Sequence, residues 1–389
     1  MNNRDSNLAP PGFEQGPIRP PSEAYSLLLR VTRNCPWNRC AFCPVYKGEK
    51  FSKRPREEVL ADLQAMHFWM EEIKARSWKL GAGGDLSLPT LAEIERRDPA
   101  NPYLRSLLLF LLGGAETAFL QDADSLVIPT EDLVAVLERL RQCFPSITRV
   151  TSYARAQTLS RLTAEQLQEL RAAGLNRIHT GLESGSDTVL KLMNKGVTAE
   201  RQILAGQNVK AAGIELSEYV MPGLGGKEHG EDHARESARV LSAVNPDFIR
   251  LRSLAVPPTA PLHEMMERGE FTPPDDLGIA RELRLFLDNL QGITSTIVSD
   301  HVLNLLPELE GKLPEDRPRL LAVLDRFLSL GEAEQMVYIL GRRLGLMEKL
   351  DDLEAEPARS QALAVKQRLG AQNLEQLARV IREVMTRFI

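Results

Sequence analysis

Cysteine is scarce in this chain, with four in 389 residues. In a chain of this length they are not expected to be disulfide staples. Aromatic residues reach only 5%, against 43% apolar and 26% charged residues overall, an ordinary balance for a globular chain large enough for one big core and an appended domain. No apolar run approaches the ~20 residues of a membrane-spanning helix. Residues 107–112 are too few, and Gly113-Gly114 ends them. The start, Met1-Asn2-Asn3-Arg4-Asp5, lacks an apolar signal core, so a cytoplasmic protein is expected. A net charge of -5 argues against a chain built to grip a phosphate backbone. There is no internal repeat of 20 to 50 residues.

What is present is concentrated. Three of the four cysteines, Cys35, Cys40 and Cys43, stand within nine residues, directly after the apolar run at 26–31. A loop after a strand can turn three such sulfurs towards one point. Soft thiolates suit zinc or an iron–sulfur cluster. Three ligands leave one metal position for something else, which is where chemistry would occur. A closed structural zinc site needs a fourth ligand, and the nearest histidine, His67, lies within a helical pattern.

Residues 1–23 are rich in proline and are expected to form an extended surface arm. From residue 24, short apolar runs alternate with helical spacing. Strands are expected at 26–31, 117–120, 147–153, 177–182, 214–221 and 248–254. Between them, 57–73 has helical spacing, Thr130 is placed to cap a helix, and Thr163 with Gln166 forms a capping box for a helix ending at Gly174. Alternation of this kind means βαβ units and a parallel sheet, with chemistry at the carboxyl ends of the strands. The expected fold is α/β, a partial (β/α)6 TIM-type barrel over 24–275, with an insertion at about 77–104. An all-helical C-terminal domain is expected over 276–389.

The cysteine loop, this repeat and the segment Gly181-Leu182-Glu183-Ser184-Gly185-Ser186-Asp187 together resemble the radical S-adenosylmethionine (SAM) superfamily, in its HemN-like and MiaB-like branch. The likeness covers about 24–270. The usual loop is C-x3-C-x-aromatic-C; here it is C-x4-C-A-F-C, with Phe42 at the aromatic place. The resemblance implies that Cys35, Cys40 and Cys43 hold a [4Fe–4S] cluster whose fourth iron takes SAM. It implies that Glu183 binds the ribose or amino group of SAM. The superfamily's G-G-E segment is not clearly kept. Asp122 and Asp124 follow the second strand and are preferred to Gly113-Gly114-Ala115-Glu116, which precedes it. Ser152 and Arg155 would contact the SAM carboxylate, and the turn beginning Tyr219-Val220-Met221-Pro222-Gly223 would approach the adenine by its backbone. By strand parity Arg252 shares a face with Arg250.

The expected activity is reductive cleavage of SAM to a 5′-deoxyadenosyl radical, which abstracts hydrogen from an unidentified substrate. A ferredoxin or flavodoxin would donate the electron. With no cysteine group after Cys143 there is nothing to hold auxiliary clusters, and no D-x-H-x-x-G pattern for cobalamin precedes the barrel. The acidic balance disfavours a nucleic-acid substrate. Two other readings stand beside this one. One is a haem-binding chaperone without turnover, using His179, His229, His233 or His301; the other is a structural zinc protein.

Overall fold

A computed structural model describes residues 11–370 and 372–385. The strands are β1 (Leu27–Arg30), β2 (Thr32–Arg33), β3 (Ser52–Lys53), β4 (Thr117–Gln121), β5 (Arg149–Tyr153), β6 (Leu175–Glu183), β7 (Glu215–Val220), β8 (Phe248–Leu251), β9 (Thr296–Val298) and β10 (Gly311–Lys312). In the first half the helices are α1 (Arg56–Lys79), α2 (Leu88–Arg97), α3 (Pro102–Leu112), α4 (Thr130–Cys143), α5 (Ala156–Leu159), α6 (Ala164–Ala173) and α7 (Asp187–Leu192). The second half holds α8 (Ala199–Ala211), α9 (Gly226–Val244), α10 (Pro261–Glu267), α11 (Asp276–Asn289), α12 (Arg317–Ser329), α13 (Glu332–Arg343), α14 (Ala358–Leu369) and α15 (Leu374–Met385). Among the described residues no helix is long and apolar enough to cross a membrane.

The described residues fall into two compact units. The first is drawn from Met1–Pro36, Glu49–Ala154 and Thr163–Ile178. In it β1, β4 and β5 pair in parallel, with Leu28 opposite Phe119 and Phe119 opposite Thr151. Helix α1 buries Val59, Leu63, Met66, Met70 and Ile73, a stripe with the three- and four-residue spacing of one helix face. Glu57 and Glu58 in its first turn and Arg76 and Lys79 in its last suit the helix dipole. Leu63 is fully buried, so truncating it to alanine costs about 2–5 kcal/mol. Thr163 and Gln166 form the capping box of α6, and Gly174, at φ 114°, ends it. Thr130 is the first residue of α4, and Pro129 stands at the cap.

The segment at 77–104 is largely helical, with α2 and the start of α3. One expectation changes here. The N-terminal arm, from residue 11 onward, is tied down; residues 1–10 lie outside the described residues. Phe13 is buried and its ring lies 4.9 Å from that of Tyr103. Trp69 Nε1 donates to the Pro11 carbonyl at 2.7 Å, and Gln121 Nε2 donates to the Ile18 carbonyl at 2.7 Å. Gly16 passes so close that a β-carbon would sit 2.0 Å from Asp122 Oδ1.

The second unit is drawn from Trp37–Gly48, Arg155–Leu162 and His179–Ile389. Here β7, β8 and β9 pair in parallel, and β10 closes antiparallel on β9. Val220, Ile249, Leu251 and Ile297 join residues of α9 and α11, including Leu241, Leu283 and Leu287, in one buried cluster. The parallel α/β class is as expected, and all six strands stand where the apolar runs put them. The stretch from 276 is not purely helical, because β9 extends the parallel sheet through Phe248 opposite Thr296.

Candidate functional site

The cysteine loop leaves β2. Asn34, at φ 65°, and Asn38, at φ 46°, turn it through left-handed backbone that asparagine tolerates better than most residues. In the second unit this loop is strapped down at several points. Trp37 Nε1 donates to the Asn194 carbonyl at 2.7 Å, and Ala41 N to the Met193 carbonyl at 2.9 Å. The Ala41 carbonyl accepts from Leu262 N at 2.9 Å. Ala41 and Phe42 pack with Met193, Met221, Leu254 and Leu262. Cys35, Cys40 and Cys43 are all half-buried. Among the described residues no three His, Cys, Asp or Glu side chains stand close enough together to hold a metal ion. The fit of the three thiols to a cluster therefore rests on donor chemistry and on spacing within one short loop.

The segment after β6 explains its own sequence. Glu183 has φ 62°, an unfavourable backbone for a residue with a side chain, and such strain concentrates at functional sites. Its carboxylate meets Lys195 Nζ at 3.2 Å. A β-carbon at Gly181 would sit 2.2 Å from Glu183 Oε1 and 3.0 Å from Lys195 Nζ, so glycine leaves the cradle in which the pair lies. Lys195 also lies 5.6 Å from the centre of the Phe42 ring. Burial works against its charge, but the Glu183 carboxylate and the Cys40 sulfur outweigh it and raise its pKa. Arg155 donates to the Lys195 carbonyl at 3.0 Å and lies over the Trp37 ring at 5.4 Å.

Glu218, in the middle of β7, belongs to the same charged group. Burial pushes its carboxyl up to about 8, with Lys195 opposing and Glu183 adding to the rise. Among the described residues its buried Oε2 has no hydrogen-bond partner. An orphaned carboxyl oxygen beside a lysine–carboxylate pair fits a ligand with hydroxyl, amino and carboxylate groups, which is the chemistry of SAM.

A helix from the same unit fixes this loop. His233 of α9 is buried; its Nε2–H donates to the Met221 carbonyl at 3.1 Å and its Nδ1 accepts from Ser184 Oγ at 2.8 Å. Burial holds its pKa down at about 4, so the ring is neutral. Ser237 Oγ accepts from Gly185 N at 2.9 Å, and a β-carbon at Gly185 would lie 2.3 Å from the Glu236 carbonyl. Ser186 Oγ caps α7 through Val189 N at 3.2 Å and donates to Asp232. Asp187 accepts from Ala199 N at 2.7 Å. Glu282 of α11 accepts from Gly223 N at 2.8 Å, and burial pushes its carboxyl up to about 8.

The other expected residues divide between the units. In the first, Asp122 and Asp124 are fully buried just after β4. Asp122 accepts from Arg30 at 2.5 and 3.0 Å and from Asn34 N at 3.1 Å, which links it to the start of the cysteine loop. Glu14 of the arm accepts from Arg30 at 2.8 Å and from Arg33 at 2.7 Å, and pairs with Arg54 at 3.4 Å. Ser152 is buried on β5 and donates to the Tyr153 carbonyl at 3.0 Å. In the second unit, Met221 is nearly buried and its N–H donates to the Glu183 carbonyl at 3.0 Å. Arg252 lies past the end of β8 with an exposed side chain, whereas Arg250 is buried and pairs with Asp300 at 2.6 Å. Of the basic stretch beside the loop, Lys50 and Lys53 are exposed, but Arg54 is buried against Asp62 at 2.6 Å. Lys195, Glu218, His233 and Glu282 are the site residues that the sequence did not single out for these roles.

A family model described as the radical SAM superfamily matches residues 29–238. A tRNA uridine(34) acetyltransferase of Methanocaldococcus jannaschii is 22% identical over 285 residues, covering 68% of this chain and 48% of that protein. Its counterpart from Methanocaldococcus infernus is 23% identical over 273 residues, covering 68% and 49%. The chain thus spans about half the length of the curated relatives it matches. The solved structure of the archaeal Methanocaldococcus infernus Elp3 with an N-terminal deletion is 18% identical, covering 57% of this chain and 55% of that one, with a TM-score of 0.40.

Proposed function

This chain belongs to the radical SAM superfamily, and from that premise we propose an enzyme that takes a hydrogen atom from a small-molecule substrate. Members of the superfamily use a [4Fe–4S] cluster and SAM; the bound cluster supplies one electron, which cleaves SAM to methionine and a 5′-deoxyadenosyl radical. Cys35, Cys40 and Cys43 would hold the cluster. The observation that carries the proposal is the Glu183–Lys195 pair, 3.2 Å apart and set against Phe42 of the cysteine loop. Glu183 is an acceptor for ribose hydroxyls or an amino group, and Lys195 a donor for a carboxylate. The partnerless oxygen of Glu218 offers a further hydrogen bond. Ser152 and Arg155 are assigned to the SAM carboxylate, Asp122 and Asp124 to its amino group, and the backbone at Met221 to the adenine. Arg252, exposed past the end of β8, is assigned a contact at the cofactor's edge. His233, which holds the Met221 carbonyl, and Glu282, which holds Gly223 N, act as positioning residues.

The substrate is taken to be a small molecule because a net charge of -5 opposes a nucleic acid. The electron donor is assigned as ferredoxin or flavodoxin, acidic proteins that the exposed Lys50 and Lys53 suit. We assign the chain to the cytoplasm. Of the four histidines offered for haem binding, His233 has both ring nitrogens committed, to Ser184 and Met221.

The test is anaerobic reconstitution with iron and sulfide, reduction, addition of SAM, and chromatography for 5′-deoxyadenosine. Formation of 5′-deoxyadenosine dependent on Cys40 supports the proposal. Zinc bound in place of iron, or a loaded cluster that never cleaves SAM, overturns it.

A further inference from the structure

A cavity of about 360 Å³ lies within the second unit, lined by residues that follow β7 and β8 and by α10, α11 and α15. It would hold on the order of a dozen waters at about 30 Å³ each. Leu254, Val256, Met266, Ile279 and Ile381 stand in its wall, and against such side chains an apolar group displaces poorly ordered water favourably. Two features tie the cavity to the cofactor side of the unit. Leu254, Val256 and Met266 also pack in the apolar cluster that contains Ala41 and Phe42 of the cysteine loop. Gly223, two residues after Met221, lines it at φ 90°, and a β-carbon there would come within 3.3 Å of Pro274 and 3.5 Å of Ile279. The Gly223 N–H is fixed by Glu282.

The charged groups on the wall are not equivalent. Asp276 is spent on Arg343 in a buried pair, and Asp275 caps α11 by accepting from Gly278 N at 2.8 Å. His263 stands 3.8 Å from Glu267 on its own helix. Among the described residues Arg379 of α15 pairs with Glu375, one turn earlier at 2.7 Å, and both side chains are more than two-thirds exposed. A pair of that kind contributes little, so a ligand can take the guanidinium from it at small cost. A planar guanidinium is suited to carboxylate or phosphate.

We propose that this cavity is the substrate chamber and that it takes a small organic anion, its apolar body between Leu254, Met266 and Ile279 and its acidic group at Arg379. The word substrate rests on the radical reading above; the anion site does not. Selectivity then comes from α10, α11 and α15, all beyond the matched residues 29–238.

The test is fluorescence titration of the reconstituted full chain with two probes of one shape: anilinonaphthalene sulfonate, an anion, and phenylnaphthylamine, which lacks the sulfonate. Saturable binding of the sulfonate at one per chain is expected. Arg379→Gln, an exposed change that spares the fold, should weaken the sulfonate roughly tenfold and leave the neutral probe unchanged. Ala378→Trp, which crowds the cavity from the same helix, should weaken both. Unsaturable sulfonate binding, or sulfonate affinity indifferent to both changes, overturns the proposal. Equal weakening of both probes by Arg379→Gln overturns the anion assignment. The same preparations are assayed for 5′-deoxyadenosine. Probe binding as expected without that product sinks the radical reading and keeps the site; the reverse sinks the chamber alone.

Discussion

Glu282 carries its proton in the folded protein, and Glu282→Gln makes this measurable. Its carboxyl is pushed from an ordinary 4.5 to about 8 by burial against a single hydrogen bond from Gly223. Between those values the native state holds a proton that the unfolded chain releases. The contribution is therefore fully present below 4.5 and is lost as pH rises through about 8, at up to about 1.4 kcal/mol per unit. From about pH 5.5 to 7.5 that is roughly 2–3 kcal/mol. Glutamine keeps an oxygen for Gly223 and does not ionise, so it removes the slope. His233 tilts the other way, since a ring held near 4 stays neutral while the unfolded one titrates near 6.5. Glu218 cancels when the variant is compared with the parent at each pH. So does His233, 3.5 Å from Glu282, because between about pH 5.5 and 7.5 both partners are uncharged in the folded parent. The assay is urea unfolding followed by hydrogen-exchange mass spectrometry of peptides from α9 and α11. The variant should gain on the parent by roughly 2 kcal/mol across that range. A constant gap between the two curves would refute the protonated Glu282.

Three further outcomes are expected. Cys40→Ala should abolish the iron–sulfur absorbance after reconstitution while leaving the circular dichroism spectrum unchanged; a full cluster signal would sink the ligand assignment. Lys195→Met should weaken SAM binding to the reconstituted protein about tenfold or more in equilibrium dialysis, through loss of a charged hydrogen bond; unchanged affinity would remove Lys195 from the site. Glu14→Ala strips Arg30, Arg33 and Arg54 of a shared acceptor and should cost the first unit about 2 kcal/mol in urea unfolding read at α1, against no change if the arm merely lies on the surface.

The features legible in the sequence were local ones. Three thiols in nine residues can be read without a fold, and so can the seven residues from Gly181 to Asp187. The six strands were visible because each is an apolar run bounded by turns. What escaped depends on partners far along the chain. Lys195 finds Glu183 twelve residues back, on the other side of α7, and Glu282 meets Gly223 from 59 residues away. Glu218 did leave a signal, a carboxylate between Leu216 and the pair Tyr219-Val220, and burial gives it meaning. Arg252 was grouped with Arg250 by strand parity, but β8 stops at Leu251, where parity ends. Strand β9 is three residues long and too short to show a period. Proline made the arm read as loose, whereas Phe13, Glu14 and Gly16 tie it down through residues up to 105 positions away.

Asp232, His233 and Ser237 lie within two turns of α9, and between them they hold Ser186, Ser184 with Met221, and Gly185. The loop after β6 and the turn after β7 are thereby bolted to one rod. Neither can shift without dragging the other, so whatever displaces Glu183 is felt at Met221 without passing through any ligand. Changes at His233 and at Ser184 should then fail to add in their effects. Drift in one loop is also constrained by the other, and the seven-residue signature is kept in shape by a helix about 50 positions further along the chain.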